Sequence, residues 1–178
     1  MNLLDRPVAP DPYDSLPPVP SFELTSTDIK DGQAMPAALT ADGGSVSPQL
    51  SWSGFPKETK SFVVTCFDPD APTPSGYWHW ILMDLPADMT SLDAGAGASD
   101  LTIDGQAFHI RNDAGEFSYF GAAPPAGDRE HRYIFTVHAL DCDTLNLSED
   151  TMPATVAFNV LFHTLARARL TVTHQNKG

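Results

Sequence analysis

Six short segments of strand-like character, each bounded by Gly, Pro or Asp, restrict this chain more than any other feature. Ser21-Phe22-Glu23-Leu24-Thr25 alternates between apolar and polar residues, and so does Leu50-Ser51-Trp52-Ser53 before Gly54. Ser61–Phe67, Tyr77–Leu85, Gln106–Arg111 and His131–Leu140 follow. Many short strands with Pro/Gly-rich connections predict an all-β antiparallel sandwich rather than alternating β and α units. One helix is predicted within Ala154–Ala168, where Ala157, Leu161, Leu165 and Ala168 recur at three- and four-residue spacing. Leu170–His174 is predicted to add a last strand.

The 178 residues suit one domain, residues 21–178, preceded by an arm. Residues 1–20 hold Pro7, Pro10, Pro12, Pro17, Pro18 and Pro20, which keep that segment out of a sheet interior. It is either flexible or strapped across the body through Tyr13 or Leu16. Ten Lys and Arg against 23 Asp and Glu give a net charge of -13, with no basic footprint for nucleic acid. No apolar run approaches the roughly 20 residues of a membrane span, and the N-terminus lacks the pattern of a secretory signal. A cytoplasmic location is therefore expected. Cys66 and Cys142 show no metal-ligand spacing and are expected to be buried free thiols, so the sequon at Asn146-Leu147-Ser148 carries no meaning.

Strand alternation also gives direction to the polar groups. In Ser61–Asp68, the face of Phe62, Val64 and Cys66 ends on Asp68. His79 shares a face with Tyr77, Ile81 and Met83 by simple alternation, and His131 with Tyr133, Phe135, Val137 and Ala139. Three strands thus carry an apolar inward face with an ionisable residue at one end, the pattern of a polar rim on a small cavity. His138, seven residues after His131, faces the other way. Set against this is the plain reading, in which a lone histidine near a strand end is a satisfied structural residue.

Several chemistries fail on local pattern. Asp68-Pro69-Asp70-Ala71-Pro72 begins like a calcium loop, but Pro72 replaces the third ligand. His79, His131 and an aspartate have the donor types for zinc, yet HExxH and the other local zinc signatures are absent. No GxSxG elbow, P-loop or dinucleotide fingerprint is present. The expected local role of Asp68 and Asp70 is turn formation, in a loop that Pro69, Pro72 and Pro74 stiffen. A rigid turn, an active site and a ligand mouth all remain open on these grounds.

Four motifs taken together resemble the phosphatidylethanolamine-binding proteins, in their bacterial Raf-kinase-inhibitor-like branch. They are Asp68-Pro69-Asp70-Ala71-Pro72, His79 before Trp80, Tyr119-Phe120-Gly121-Ala122-Ala123-Pro124-Pro125-Ala126-Gly127, and His131-Arg132-Tyr133. The resemblance runs from about Phe22 to the C-terminus, with the motifs in the expected order. The resemblance implies a Greek-key β-sandwich with a few peripheral helices, one near the C-terminus. It implies a pocket for phosphate, acetate or a phosphoethanolamine-like head group, built from Asp68, Asp70, Tyr77, His79, Gly121, Ala123, Pro124, His131 and Tyr133. The helix near Phe158–Leu165 is expected to line or cover this pocket. Arg132, facing away from His131, is expected to hold a structural ion pair. Ala123 stands where glycine is common in the family.

The resemblance further implies a non-enzymatic binding protein with no cofactor and no bound metal, forming a homodimer and modulating a signalling partner. An inhibitor that docks directly on a kinase or protease is the alternative, and a hydrolase using His79 or His131 as base is a third reading. Binding is expected to be weak, since the motifs aim no arginine fork inward.

Overall fold

Two antiparallel sheets pack face to face because the long strands are apolar on both sides and the short ones on one. The computed structural model describes residues 2–178. In chain order the strands are β1 (Glu23–Thr25), β2 (Leu50–Ser53), β3 (Ser61–Asp68), β4 (Tyr77–Pro86), β5 (Ser91–Leu92), β6 (Phe108–His109), β7 (His131–Leu140) and β8 (Thr164–His174). One sheet has the order β1-β2-β5 and the other β6-β4-β3-β7-β8. Phe62, Val64 and Cys66 of β3 meet Tyr133, Phe135 and Val137 of β7 in the core between the sheets. Phe62, Trp80 and Phe135 are fully buried there, each contributing about 1.5–3 kcal/mol. The outer face of the larger sheet buries Val63, Ile81, Met83 and Leu140 under Val156 and Val160 of α1 (Pro153–His163), the one α-helix among the described residues. Short 3-10 turns are the remaining helical pieces.

The C-terminal segment departs from the sequence reading. The helix stops at His163, and Leu165 and Ala168 lie in β8, which pairs with β7 down its whole length. From Ala166 to Val172 every second residue faces the core between the sheets: Ala166, Ala168, Leu170 and Val172. That period of two outweighs the accidental helical spacing of Leu161, Leu165 and Ala168. The segment predicted as Gln106–Arg111 shortens to the two residues of β6, and Ser91–Leu92 adds a strand the alternation did not flag.

Simple alternation also fails in β4, and here the departure builds the site. Cys66 pairs with Trp80 but Phe67 pairs with Trp78, so His79 is an extra residue in its strand. A bulge of this kind turns the residues beyond it over. As a result Trp80 and Leu82 face the core between the sheets, Ile81 and Met83 face α1, and His79 turns inward toward Tyr133. His79 therefore does not share the face of Ile81 and Met83. A second register shift lies between Leu82 and Leu85, with Asp84 at φ 54°.

The arm is a strap. Asp11 pairs with Arg169 at 2.8 Å, and the Pro20 carbonyl accepts from the Arg167 amide. Tyr13 lies beneath the guanidinium groups of Arg167 and Arg169, with centroid distances of 4.9 and 5.0 Å. Cys66 is a buried free thiol, while Cys142 is half-buried.

Candidate functional site

The turn after β3 is assembled by one carboxylate. Asp68 Oδ1 accepts the backbone N–H groups of Asp70 at 2.7 Å and Ala71 at 3.0 Å. Its Oδ2 accepts from His131 Nδ1 at 2.7 Å. Asp70 goes elsewhere: its two carboxylate oxygens take the Arg132 side chain at 2.7 and 2.8 Å, and one also accepts the Arg132 amide. That two-pronged pair clamps the turn to the start of β7 and matches the structural role expected of Arg132.

His131 is held from both sides. Asp128 Oδ2 lies 3.1 Å from Nε2, opposite Asp68 on Nδ1. Ionised carboxylates only accept, so this pair favours the doubly protonated ring, although an Arg6 guanidinium nitrogen also lies 3.4 Å from Nε2. Burial alone lowers the pKa of this ring, but the hydrogen bonds and charges of Asp68 and Asp128 outweigh it, and the value lies above the ordinary one. Asp128, three residues upstream, also pairs with Arg6 at 2.7 Å. The bond to Arg6 leads the causes that hold its carboxyl well below the usual range. Arg6 donates in addition to the Asp70 carbonyl at 2.6 Å. An arginine fork does therefore reach this end of the sandwich, but the protein's own groups occupy it.

His79 is set up in the opposite way. The loop from Asn112 to Gly121 is organised by the Asn112 side chain, which accepts from Ala114 and Glu116 and donates to the Ser118 carbonyl. It delivers Phe120, whose amide donates to the His79 carbonyl at 2.9 Å and whose carbonyl accepts from His79 Nδ1 at 2.8 Å. The two rings stack, 5.8 Å apart at 15°. Burial pushes the His79 pKa below the ordinary histidine value despite that bond. A neutral ring with Nδ1 protonated leaves Nε2 with a lone pair, and no described residue bonds to it.

These groups border one cavity of about 390 Å³. Asp68, Tyr77, His79, Ala123, Pro124, His131 and Tyr133 all line it. Tyr133 is 1% exposed and its hydroxyl has no hydrogen-bond partner. Burial, then the charge of Asp68, pushes its pKa up, so it stays a neutral donor. Of the residues singled out from the sequence, Asp70 and Gly121 do not line the cavity. Gly121 packs against the backbone of Thr40 and gives its amide to Ser45. Helix α1 does not line it either, since it covers the outer face of the sheet. Sequence reasoning missed Arg6, Asn112, Phe120 and Asp128. Asp128 carried a readable signal, an acid three residues before a histidine, whereas Arg6 joins only through the tertiary path of the arm.

A second polar cluster lies away from this cavity. Ligand atoms of Asp141, Cys142 and His163 fall within 4.8 Å of one another, with His163 Nδ1 on Asp141 at 2.7 Å. His163 thus serves the end of α1 and not the cavity.

The opposed histidines give the site a defined pH dependence. The unfolded His131 ring titrates near 6.5 and the folded one above it. Its stabilisation is therefore complete below about pH 6.5 and is lost as the pH rises through the folded value. His79, with its folded value below 6.5, works the other way on acidification. The stability gap between the wild type and His131→Gln, measured by urea unfolding, should be wider near pH 6 than near pH 9. A gap independent of pH would mean that the ring is neutral.

A family model for phosphatidylethanolamine-binding protein matches residues 25–175. The chain belongs to that family. It is 47% identical over 155 residues to UPF0098 protein YbhB of Escherichia coli, covering 84% of this chain and 98% of that protein. With UPF0098 protein YbcL of the same organism it shares 39% over 163 residues, 88% of this chain and 89% of that one. The crystal structure of YbcL, described as a new member of the mammalian PEBP family, superposes with a TM-score of 0.84 over 87% of this chain and 98% of YbcL. The phosphatidylethanolamine-binding protein of Plasmodium vivax shares the fold, with a TM-score of 0.58 at 16% identity over 96% of this chain and 91% of its own. No helix among the described residues is long and apolar enough to cross a membrane.

Proposed function

We propose that this chain is a non-enzymatic binding protein whose cavity takes a small anion or phosphorylated head group. The observation that carries the reading is the buried Tyr133 hydroxyl, which has no protein partner and lines the same cavity as the His79 ring. A buried hydroxyl without a bond costs free energy that a ligand oxygen recovers. His79, once it takes a proton, presents a second donor. His131 supplies positive charge while its own N–H groups stay on Asp68 and Asp128. Arg6, Arg132 and His131 are offset by Asp68, Asp70 and Asp128, so the local charge is near balance and binding is weak.

Binding rather than turnover fits the lining. Its one aliphatic hydroxyl belongs to Thr73, which donates to the Gly76 carbonyl at 2.6 Å and has no base beside it. Calorimetric titration with phosphoethanolamine and inorganic phosphate tests the proposal. Tyr133→Phe should weaken binding by roughly three- to tenfold, and His79→Ala should weaken it further. Affinity unchanged in both variants, or phosphoester turnover that disappears with His79, would count against the reading.

A further inference from the structure

The outer face of the larger sheet holds a second cavity, of about 200 Å³, on the side opposite His79. Its floor is the sheet, its roof is α1, and Pro12, Tyr13 and Leu16 of the arm close one side. Phe67, Trp78, Val156 and Val160 make most of it apolar. Beside the hydroxyls of Tyr13, Thr65 and Thr164, two nitrogen-bearing side chains interrupt that lining. Arg167 is 9% exposed and His138 is 7% exposed. Arg167 Nε and His138 Nδ1 are fully buried without a hydrogen-bond partner.

Arg167 is the anomaly among the six arginines of the chain. Arg6, Arg111, Arg132 and Arg169 each pair with a carboxylate, and Arg129 donates to the carbonyls of Leu4 and Arg6. The Arg167 side chain does neither; its one partner is the face of Tyr13 at 4.9 Å. Asp11, the acid closest in the arm, is already taken by Arg169 at 2.8 and 3.0 Å. Burial, then the charge of Arg167, pushes the His138 pKa down to about 3. The imidazole is therefore neutral, with one N–H to donate. A buried Nε–H without an acceptor, on a guanidinium whose neighbouring carboxylate Asp11 is hydrogen-bonded to Arg169 instead, is costly unless something pairs with it.

We infer that this cavity binds a small monocarboxylic acid with an apolar tail, its carboxylate on Arg167 and its tail between the sheet and α1. The planar guanidinium matches a carboxylate in shape, and one negative charge suffices to neutralise it. A phosphate dianion would bring a second charge into an otherwise apolar space with no cation to meet it. Tyr13 on the arm covers the head of such a ligand, and the helix covers its tail.

Octanoate titrated into the full chain, followed by calorimetry and thermal unfolding, is the test. Octan-1-ol and inorganic phosphate are the matched probes. Octanoate should bind and raise Tm, octanol should bind far more weakly, and His79→Ala should leave the octanoate response intact. Arg167→Met, which removes the unpaired charge but keeps the length, should weaken octanoate by roughly ten- to a hundredfold without lowering the Tm of the free protein. Equal binding of octanol, loss of the response in His79→Ala, or undiminished binding in Arg167→Met each overturns the assignment. Should Arg167→Met fail to fold, Ala157→Phe fills the cavity from the helix. Loss of octanoate binding in that variant, with the phosphate response kept, supports the site, and retention overturns it.

Discussion

Replacing Asp68 by alanine should destabilise the protein by about 3–5 kcal/mol, the range for breaking a buried ion pair from one side. That is a large part of what a domain of this size has to lose. The side chain is 3% exposed and accepts three hydrogen bonds. Its removal strands the amides of Asp70 and Ala71 and leaves the His131 imidazolium with Asp128 alone. Asp68→Asn keeps an oxygen for the turn but loses the charge, so its cost should fall between those of the wild type and alanine. Urea unfolding at neutral pH measures both variants. A loss under about 1 kcal/mol for Asp68→Ala, the scale of a surface pair, would show that the carboxylate does not organise the turn.

Gly121→Ala should cost about 2–3 kcal/mol, at the upper end for overpacking a tight site. A Cβ at this position would stand 2.4 Å from the carbonyl carbon of Thr40, 2.5 Å from the Ala41 nitrogen and 2.7 Å from the Leu39 oxygen. All three are backbone atoms and cannot rotate away. Relief comes by moving residue 121, and with it Phe120, which holds His79 by two hydrogen bonds. The substitution should therefore also shift the His79 resonances. Ala123→Gly, two residues on and exposed at the mouth of the cavity, should stay within about 0.5 kcal/mol of the wild type. Equal stability of Gly121→Ala and wild type would refute the packing role.

The strands were legible in the sequence wherever alternation was uninterrupted, as in Phe62-Val64-Cys66 and Tyr133-Phe135-Val137. Alternation misled at His79, because a bulge leaves no mark in a run where both faces of the strand are aromatic or apolar. It misled again after His163, where alanines and leucines satisfy a period of two and a period near four equally well. Which residues gather at one end of the sandwich was readable from motifs, since Asp68, His79, His131 and Tyr133 do meet there. How they are used was not. Asp68 and Asp70 are both spent within the protein, on His131 and Arg132, and Asp128 is spent on His131 and on Arg6 of the arm, through tertiary contacts that local pattern does not encode. The unpaired Arg167 was equally invisible, because the lack of a partner is a property of space and not of spacing.

In the proposed binding mode His79 Nε2 takes a proton and donates it to the bound anion. This mode is tested most directly by nitrogen NMR of the imidazole side chains, titrated between about pH 5 and 8 with and without saturating glycerophosphoethanolamine. This phosphodiester keeps a single charge on its phosphate over that range, so the protein alone titrates. Without ligand, His79 should be neutral with Nδ1 protonated and should titrate below the ordinary histidine value. With ligand bound, its titration should move to higher pH while His131 remains doubly protonated. A His79 profile that the ligand leaves unmoved would contradict the account.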